Sequence, residues 1–201
     1  VEKLLLFIKQ NLKFLWAVID SINNAIYGLL FDKTMKRSLN AISNNVDISP
    51  YTFKELKASD TNDLYELIKN QKESDLNYFQ PHGFDHDSIR GKLKQKAFLM
   101  MGIYFEQQLI GYFFLRFFVN KKCFVGRLID ADYRGKGVGL LMNKIMYGIA
   151  WNMKFRCLST ISKSNHFIMK AHKKNTTMVV LKELNNNFLL VEFINPDLSN
   201  N

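Results

Sequence analysis

Six consecutive residues carry the clearest chemistry in this sequence: Arg134, Gly135, Lys136, Gly137, Val138 and Gly139. Alternating glycines at a helix start remove side chains where an anion must reach the backbone. The first N–H groups of a helix have no acceptor within it, and the helix dipole adds partial positive charge at that end. Arg134 and Lys136 add full charges. Together these features suit a pyrophosphate. Two other phosphate-binding patterns do not fit. A P-loop needs Gly-Lys followed by Ser or Thr, whereas Leu140 and Leu141 follow Gly139. The dinucleotide fingerprint needs G-x-G-x-x-G in an N-terminal βαβ unit, and glycines at 135, 137 and 139 have a different spacing.

Such a turn needs a strand to deliver it and a helix to receive it. Leu128, Ile129 and Asp130 close a strand expected over 123–130. A helix from Val138 to Trp151 sets Val138, Leu141, Ile145 and Ile149 on one face, against a sheet. Apolar runs over 97–105 and 109–119, parted by Glu106, Gln107 and Gln108, read as an antiparallel hairpin. Upstream, Tyr51 to Leu56 reads as a strand. Ser59 or Asp60 caps a helix through about Asn70, with Leu64, Leu67 and Ile68 inward. Asp87 or Ser88 caps another, through about Lys96. Downstream come a strand at 156–161, a helix at 165–173 and a hairpin of 178–184 with 188–193. The expected fold class is α/β: a mixed, mostly antiparallel sheet with helices on both faces. The main domain spans 51–194, and 195–201 is a polar tail.

The first 39 residues are of another kind. Leu4, Leu5, Ile8, Leu12, Leu15, Ile19, Ile22, Ile26, Leu29 and Leu30 recur at helical intervals, so an amphipathic helical extension is expected over 1–39. Asp20, Asn23 and Asn24 break the apolar run, which argues against a membrane span. The stripe is too wide for a lone solvated helix. A membrane surface, a second copy or the chain's own domain must cover it. Basic residues at both ends suit anionic lipid, and Trp16 and Tyr27 suit an interface. Residues 40–50 read as a linker ending at Pro50.

The formal net charge of +10 points to an anionic partner. Nucleic acid is not the expected one, since no RRM, KH, zinc or helix-turn-helix signature is present. Cys123 and Cys157 have no neighbouring Cys or His at zinc spacing, so no metal is expected and the setting is cytoplasmic, peripheral at the membrane if the helix binds lipid.

The stretch Tyr133 to Gly139 resembles the acetyl-CoA signature, Q/R-x-x-G-x-G/A, of the GNAT superfamily of N-acetyltransferases. Arg134 matches its first position, Gly137 its fourth and Gly139 its sixth. The resemblance extends over 51–194 in element order. It implies that Arg134 to Leu140 hold the pyrophosphate of acetyl-CoA, the acyl donor. It also implies that the strand ending at Leu128, Ile129 and Asp130 pairs with the pantetheine arm. That strand should splay from the next, with the acyl group in the opening and a small amine, such as an amino sugar, as acceptor.

The family's helix N-x-x-A-x-x-x-Y often ends in a tyrosine acid. Here Asn165 matches the Asn, Ile168 replaces the Ala and His172 stands where the Tyr would be. The resemblance therefore implies a cofactor contact at Asn165 and proton transfer at His172, for which an imidazole is suited. Asp130 and His82 are the candidate bases. Asp130 lies at the strand end and serves equally well as a cap of the turn. His82 lies in the aromatic loop Tyr78 to Phe84, the region that shapes the acceptor pocket in this family.

Overall fold

The computed structural model describes residues 13–165, 169–170, 177–185 and 187–196. The described chain opens with α1 (Lys13–Asn45). After Pro50 come β1 (Tyr51–Glu55), α2 (Thr61–Lys69), α3 (Glu73–Leu76) and α4 (His86–Leu93). Three strands follow: β2 (Phe98–Phe105), β3 (Gln108–Phe117) and β4 (Lys122–Ile129). Then come α5 (Val138–Asn152), β5 (Arg156–Ser162), β6 (Thr177–Leu184) and β7 (Phe188–Ile194). Among the described residues the strands form one sheet in the order β1-β2-β3-β4-β5-β7-β6. Among these described strands β4 and β5 pair in parallel and the other neighbours are antiparallel.

Each face of the sheet carries its own core. One joins α1 and α5 to Phe113, Leu115, Phe117, Val125 and Val191. The other joins α2 and α4 to Met100, Tyr112 and Leu128. Leu64, Leu67 and Ile68 of α2 are buried, as their periodicity requires. The Asp60 carboxylate does not cap that helix. It accepts from the backbone N–H of Lys57 at 2.7 Å and closes the preceding turn. Asp85, not Asp87 or Ser88, caps α4 by accepting from the Ser88 N–H at 2.9 Å. The expected helix at 165–173 falls largely outside the described residues.

The N-terminal helix departs furthest from expectation. It continues to Asn45, well into the segment read as a linker. Asn40, Ser43, Asn44 and Asn45 made that stretch look like a loop, but Ser38 and Ile42 are buried. The Ser38 hydroxyl donates to the Ile149 carbonyl of α5 at 3.3 Å. Ile42 crosses α5 at Gly148, where a β-carbon would lie 2.7 Å from Ile42 Cδ1. Polarity on the outer half of a docked helix is indistinguishable from a linker when counted along the chain.

The face that docks is also unexpected. Asp20, Asn23 and Asn24, the residues that interrupt the apolar run, are the polar anchors. Asn23 donates to the Phe117 carbonyl at 2.9 Å and accepts from the Val119 N–H at 3.1 Å. Asn24 accepts from the Ala97 N–H at 3.0 Å. Asp20 pairs with Arg116 at 2.7 Å and Lys92 at 3.1 Å. Burial works to raise its pKa, but the two cations outweigh it and hold the carboxyl below its ordinary value. Tyr27 is fully buried and stacks on Phe117 at 5.0 Å between ring centroids. The stripe that includes Leu15, Ile22, Ile26 and Leu29 points outward instead.

Candidate active site

Strand β4 presents Cys123, Val125 and Ile129 to the α1/α5 core and Leu128 to the opposite one. Alternation places Arg127 with the first set and Gly126 with the second. Along β3 the pairing is continuous from Gly111–Ile129 to Phe117–Cys123. Along β5 it stops at Phe124–Leu158. Beyond that point β4 and β5 part. The Ser159 hydroxyl donates to the Val125 carbonyl at 3.0 Å where the gap begins. Among the described residues, the backbone of β4 from Gly126 onward has no ladder partner on its β5 side.

The glycine turn stands at the far end of this gap. Asp130 accepts from the Asp132 N–H at 3.0 Å and caps the single 3-10 turn Ala131–Tyr133. Gly135 and Gly137 have φ values of +77° and +85°, in the left-handed region open to glycine. A β-carbon built on either meets nothing within 4 Å among the described residues, so the outer side of the turn is clear of them. Gly137 is the N-cap of α5, and its carbonyl accepts from Leu140 at 3.0 Å. Gly139 is small for another reason. A β-carbon there would sit 3.2 Å from Ile129 Cδ1 and 3.4 Å from Arg127 Nε, because α5 closes tightly on β4.

The two basic residues of the turn divide the work. The Arg134 guanidinium points inward. It donates to the Ile129 carbonyl at 3.1 Å, to Asp75 of α3 at 2.9 Å and to Gln71 at 2.7 Å. It therefore ties the turn to the α2–α3 segment. Lys136 is exposed, with its ammonium 5.0 Å from the Tyr133 ring centroid. Val138 is buried and Leu140 half exposed, so the first turn of α5 presents mainly backbone outward.

Sequence reasoning missed the polar group behind the gap. Arg127 donates to the side-chain oxygen of the fully buried Asn143 and also interacts with Tyr147. Gly139, Asn143 and Tyr147 follow one another at four-residue intervals on α5. That spacing in an apolar helix was the available signal. Ser159 left no such signal.

His82 is placed by the aromatic loop. Its Nδ1 lies 2.6 Å from the Gly83 carbonyl, an acceptor, so Nδ1 carries the proton. Its Nε2 then accepts from the Tyr112 hydroxyl at 3.2 Å. Phe79 of the same loop reaches Gly126, where a β-carbon would lie 3.3 Å from Phe79 Cε2. The loop thus covers β4 at the start of the gap, whereas Asp130 stands at the end beside the glycine turn. Roughly 13 Å of extended strand separates Gly126 from Asp130. Asn165 follows β5, its N–H bonded to the Ser162 carbonyl at 3.0 Å. His172 lies outside the described residues.

Burial holds the His82 imidazole below its ordinary pKa. A neutral histidine in the fold that protonates in the unfolded chain contributes stability that is complete above about pH 6.5. That contribution is lost as pH falls below this value. Between about pH 7.5 and about pH 5.5, the urea midpoint of the wild type should fall further than that of His82→Gln. Equal decreases would show that His82 is not held neutral.

Splayed parallel strands with a glycine turn and helix at their open end define the fold of the GNAT N-acetyltransferases, and this chain has that fold. The GNAT domain of S. lividans PAT superposes with a TM-score of 0.62 at 10% identity, covering 70% of this chain and 88% of that one. The PaiA N-acetyltransferase of Thermoplasma acidophilum, in complex with coenzyme A, gives 0.59 at 14% identity, covering 72% and 99%. AAC(6')-Ib in complex with paromomycin and acetyl-CoA gives 0.58 at 13% identity, covering 73% and 94%. No protein-family profile and no curated protein matches the sequence.

Proposed function

We propose that this chain is an acyl-CoA-dependent N-acyltransferase that moves an acetyl group from acetyl-CoA to a small amine. The observation that carries this reading is the clear outer side of Gly135 and Gly137 at the α5 N-terminus, in line with the open edge of β4. Backbone N–H groups and a helix N-terminus suit a pyrophosphate, and an unpaired strand edge suits an extended amide-bearing arm. Arg134 to Leu140 would hold the first, with Lys136 as the exposed cation. Leu128, Ile129 and Asp130 would hold the second, and Asn165 would close its other side.

Bound acetyl-CoA would supply an activated thioester. The chain's own residues would then manage protons and position. We assign His82 as base, because its loop covers β4 where the gap begins and its Nε2 is unprotonated. The Tyr112 hydroxyl must turn from Nε2 for the imidazole to accept a proton from the acceptor's ammonium, which frees the amine lone pair to attack the thioester carbonyl. We assign the protonation of the departing thiolate to His172. For Asp130 we favour the capping role, since its carboxylate already holds the Asp132 N–H.

An amino sugar is our preferred acceptor, in line with a fold neighbour described as an aminoglycoside acetyltransferase. Both cysteines are buried and free, which fits a cytoplasmic setting. The test is free-thiol release from acetyl-CoA with amino sugars, aminoglycosides and polyamines offered in turn. Acceptor-dependent release fastest with an amino sugar is expected. Tight acetyl-CoA binding without release on any amine would leave a non-catalytic CoA-binding protein instead.

A further inference from the structure

The outer face of α1 is apolar and exposed while its inner face is already anchored. Leu15, Val18, Ile22, Ile26, Leu29 and Leu30 form this face; Leu29 is 87% exposed, Leu30 63% and Ile22 54%. Over residues 14–31 Asp20 is the one charged side chain, and it turns inward to Arg116 and Lys92. The face runs for roughly 24 Å along the helix. At its C-terminal end the same side continues as Lys33, Lys36 and Arg37, all exposed, with Lys36 paired to Asp32 at 2.9 Å. Lys33 follows Leu29 by four residues, and Ile22, Leu29 and Lys36 are spaced by seven. Lys13 opens the described helix, and Lys3 and Lys9 precede it in sequence.

We propose that this face docks the protein on an anionic lipid surface, with α1 lying in the plane of the headgroups. Length and composition alone would let the helix cross a membrane. The bonds of Asn23 and Asn24 to β2 and β3 and the burial of Tyr27 hold its other side against the sheet. Crossing would break all of them; lying flat breaks none. Charge decides between lipid and a second copy. A second copy carries the same net charge of +10, and packed parallel it would set Lys33 and Arg37 of one helix beside those of the other. An anionic surface instead neutralises that basic end while the apolar stripe enters the acyl boundary.

The experiment uses the full chain and sucrose-loaded vesicles of phosphatidylcholine, with and without phosphatidylserine. The wild type should pellet with the anionic vesicles and remain in solution with the neutral ones. The exposed pair Ile22→Asp with Leu29→Asp, and separately Lys33→Glu with Arg37→Glu, should each weaken pelleting roughly tenfold or more. Far-UV circular dichroism and acetyl-CoA affinity should stay unchanged in both, which separates loss of docking from loss of fold or site. The proposal is overturned if the wild type pellets with neither vesicle, or if both variants pellet as it does. It is equally overturned if sedimentation velocity shows a wild-type dimer that the aspartate variant splits, with no vesicle binding.

Discussion

Replacing Gly137 by Glu is expected to weaken acetyl-CoA binding about 100-fold or more, close to 3 kcal/mol, in a chain that stays folded. Gly137 has φ +85°, and a non-glycine residue in the left-handed region costs about 1–2 kcal/mol. No steric penalty is added, because a β-carbon there meets nothing within 4 Å. The fold should therefore survive. The ligand should not, since the new carboxylate stands where the N-terminus of α5 would receive phosphate oxygens. Gly137→Ala carries the same backbone strain without the charge and should lose much less. Titration calorimetry on both variants, with urea melts as the control for folding, measures the two effects apart. Unchanged affinity in a folded Gly137→Glu would remove the pyrophosphate from this turn and with it the proposed reaction.

The second large effect lies far from the turn. Tyr27→Ala should destabilise the protein by about 3–5 kcal/mol, the range for removing a buried aromatic side chain. Tyr27 is fully buried, stacks on Phe117 and packs edge-on to Phe155. Its hydroxyl donates to the Met35 sulfur at 3.5 Å within the same helix. A domain of this kind is stable by about 5–15 kcal/mol, so the loss is a large share of the whole. Tyr27→Phe keeps the ring and should change little. A urea midpoint for Tyr27→Ala equal to the wild type would make α1 an appendage to the sheet. The structure instead makes it a layer of the fold, and deletion of the helix should strip part of that core and leave α5 alone to cover the face.

Much of the site was legible because its signals are local. The strand ending near Ile129 and the helix from Val138 follow from the period of apolar residues. The glycines at 135 and 137 announce a backbone that only glycine adopts freely, and the structure shows it. Neighbours in sequence decide each of these features. The β2–β3 hairpin and the buried face of α2 were readable for the same reason.

What the sequence could not supply is which surface meets which. Between Phe14 and Phe31 the more apolar stripe of α1 is the exposed one and the docked side carries Asp20, Asn23 and Asn24 beside Tyr27, so periodicity marks a helix without saying which side packs. The choice rests on Asn23 and Asp20 finding partners 94 and 96 residues away, at Phe117 and Arg116. Arg134 matches a phosphate motif by type, yet its guanidinium is claimed by Gln71 and Asp75, more than fifty residues earlier. The point where β4 and β5 part has no mark in either strand. It appears where Leu158 is the last β5 residue to pair with β4, and Ser159 bonds the Val125 carbonyl through its side chain. Local periodicity and backbone freedom thus settled the strand, turn and helix from the sequence alone. Only the tertiary structure decided the docking of α1, the inward turn of Arg134 and the opening of the gap, because each depends on long-range contacts that leave no periodic trace along the chain.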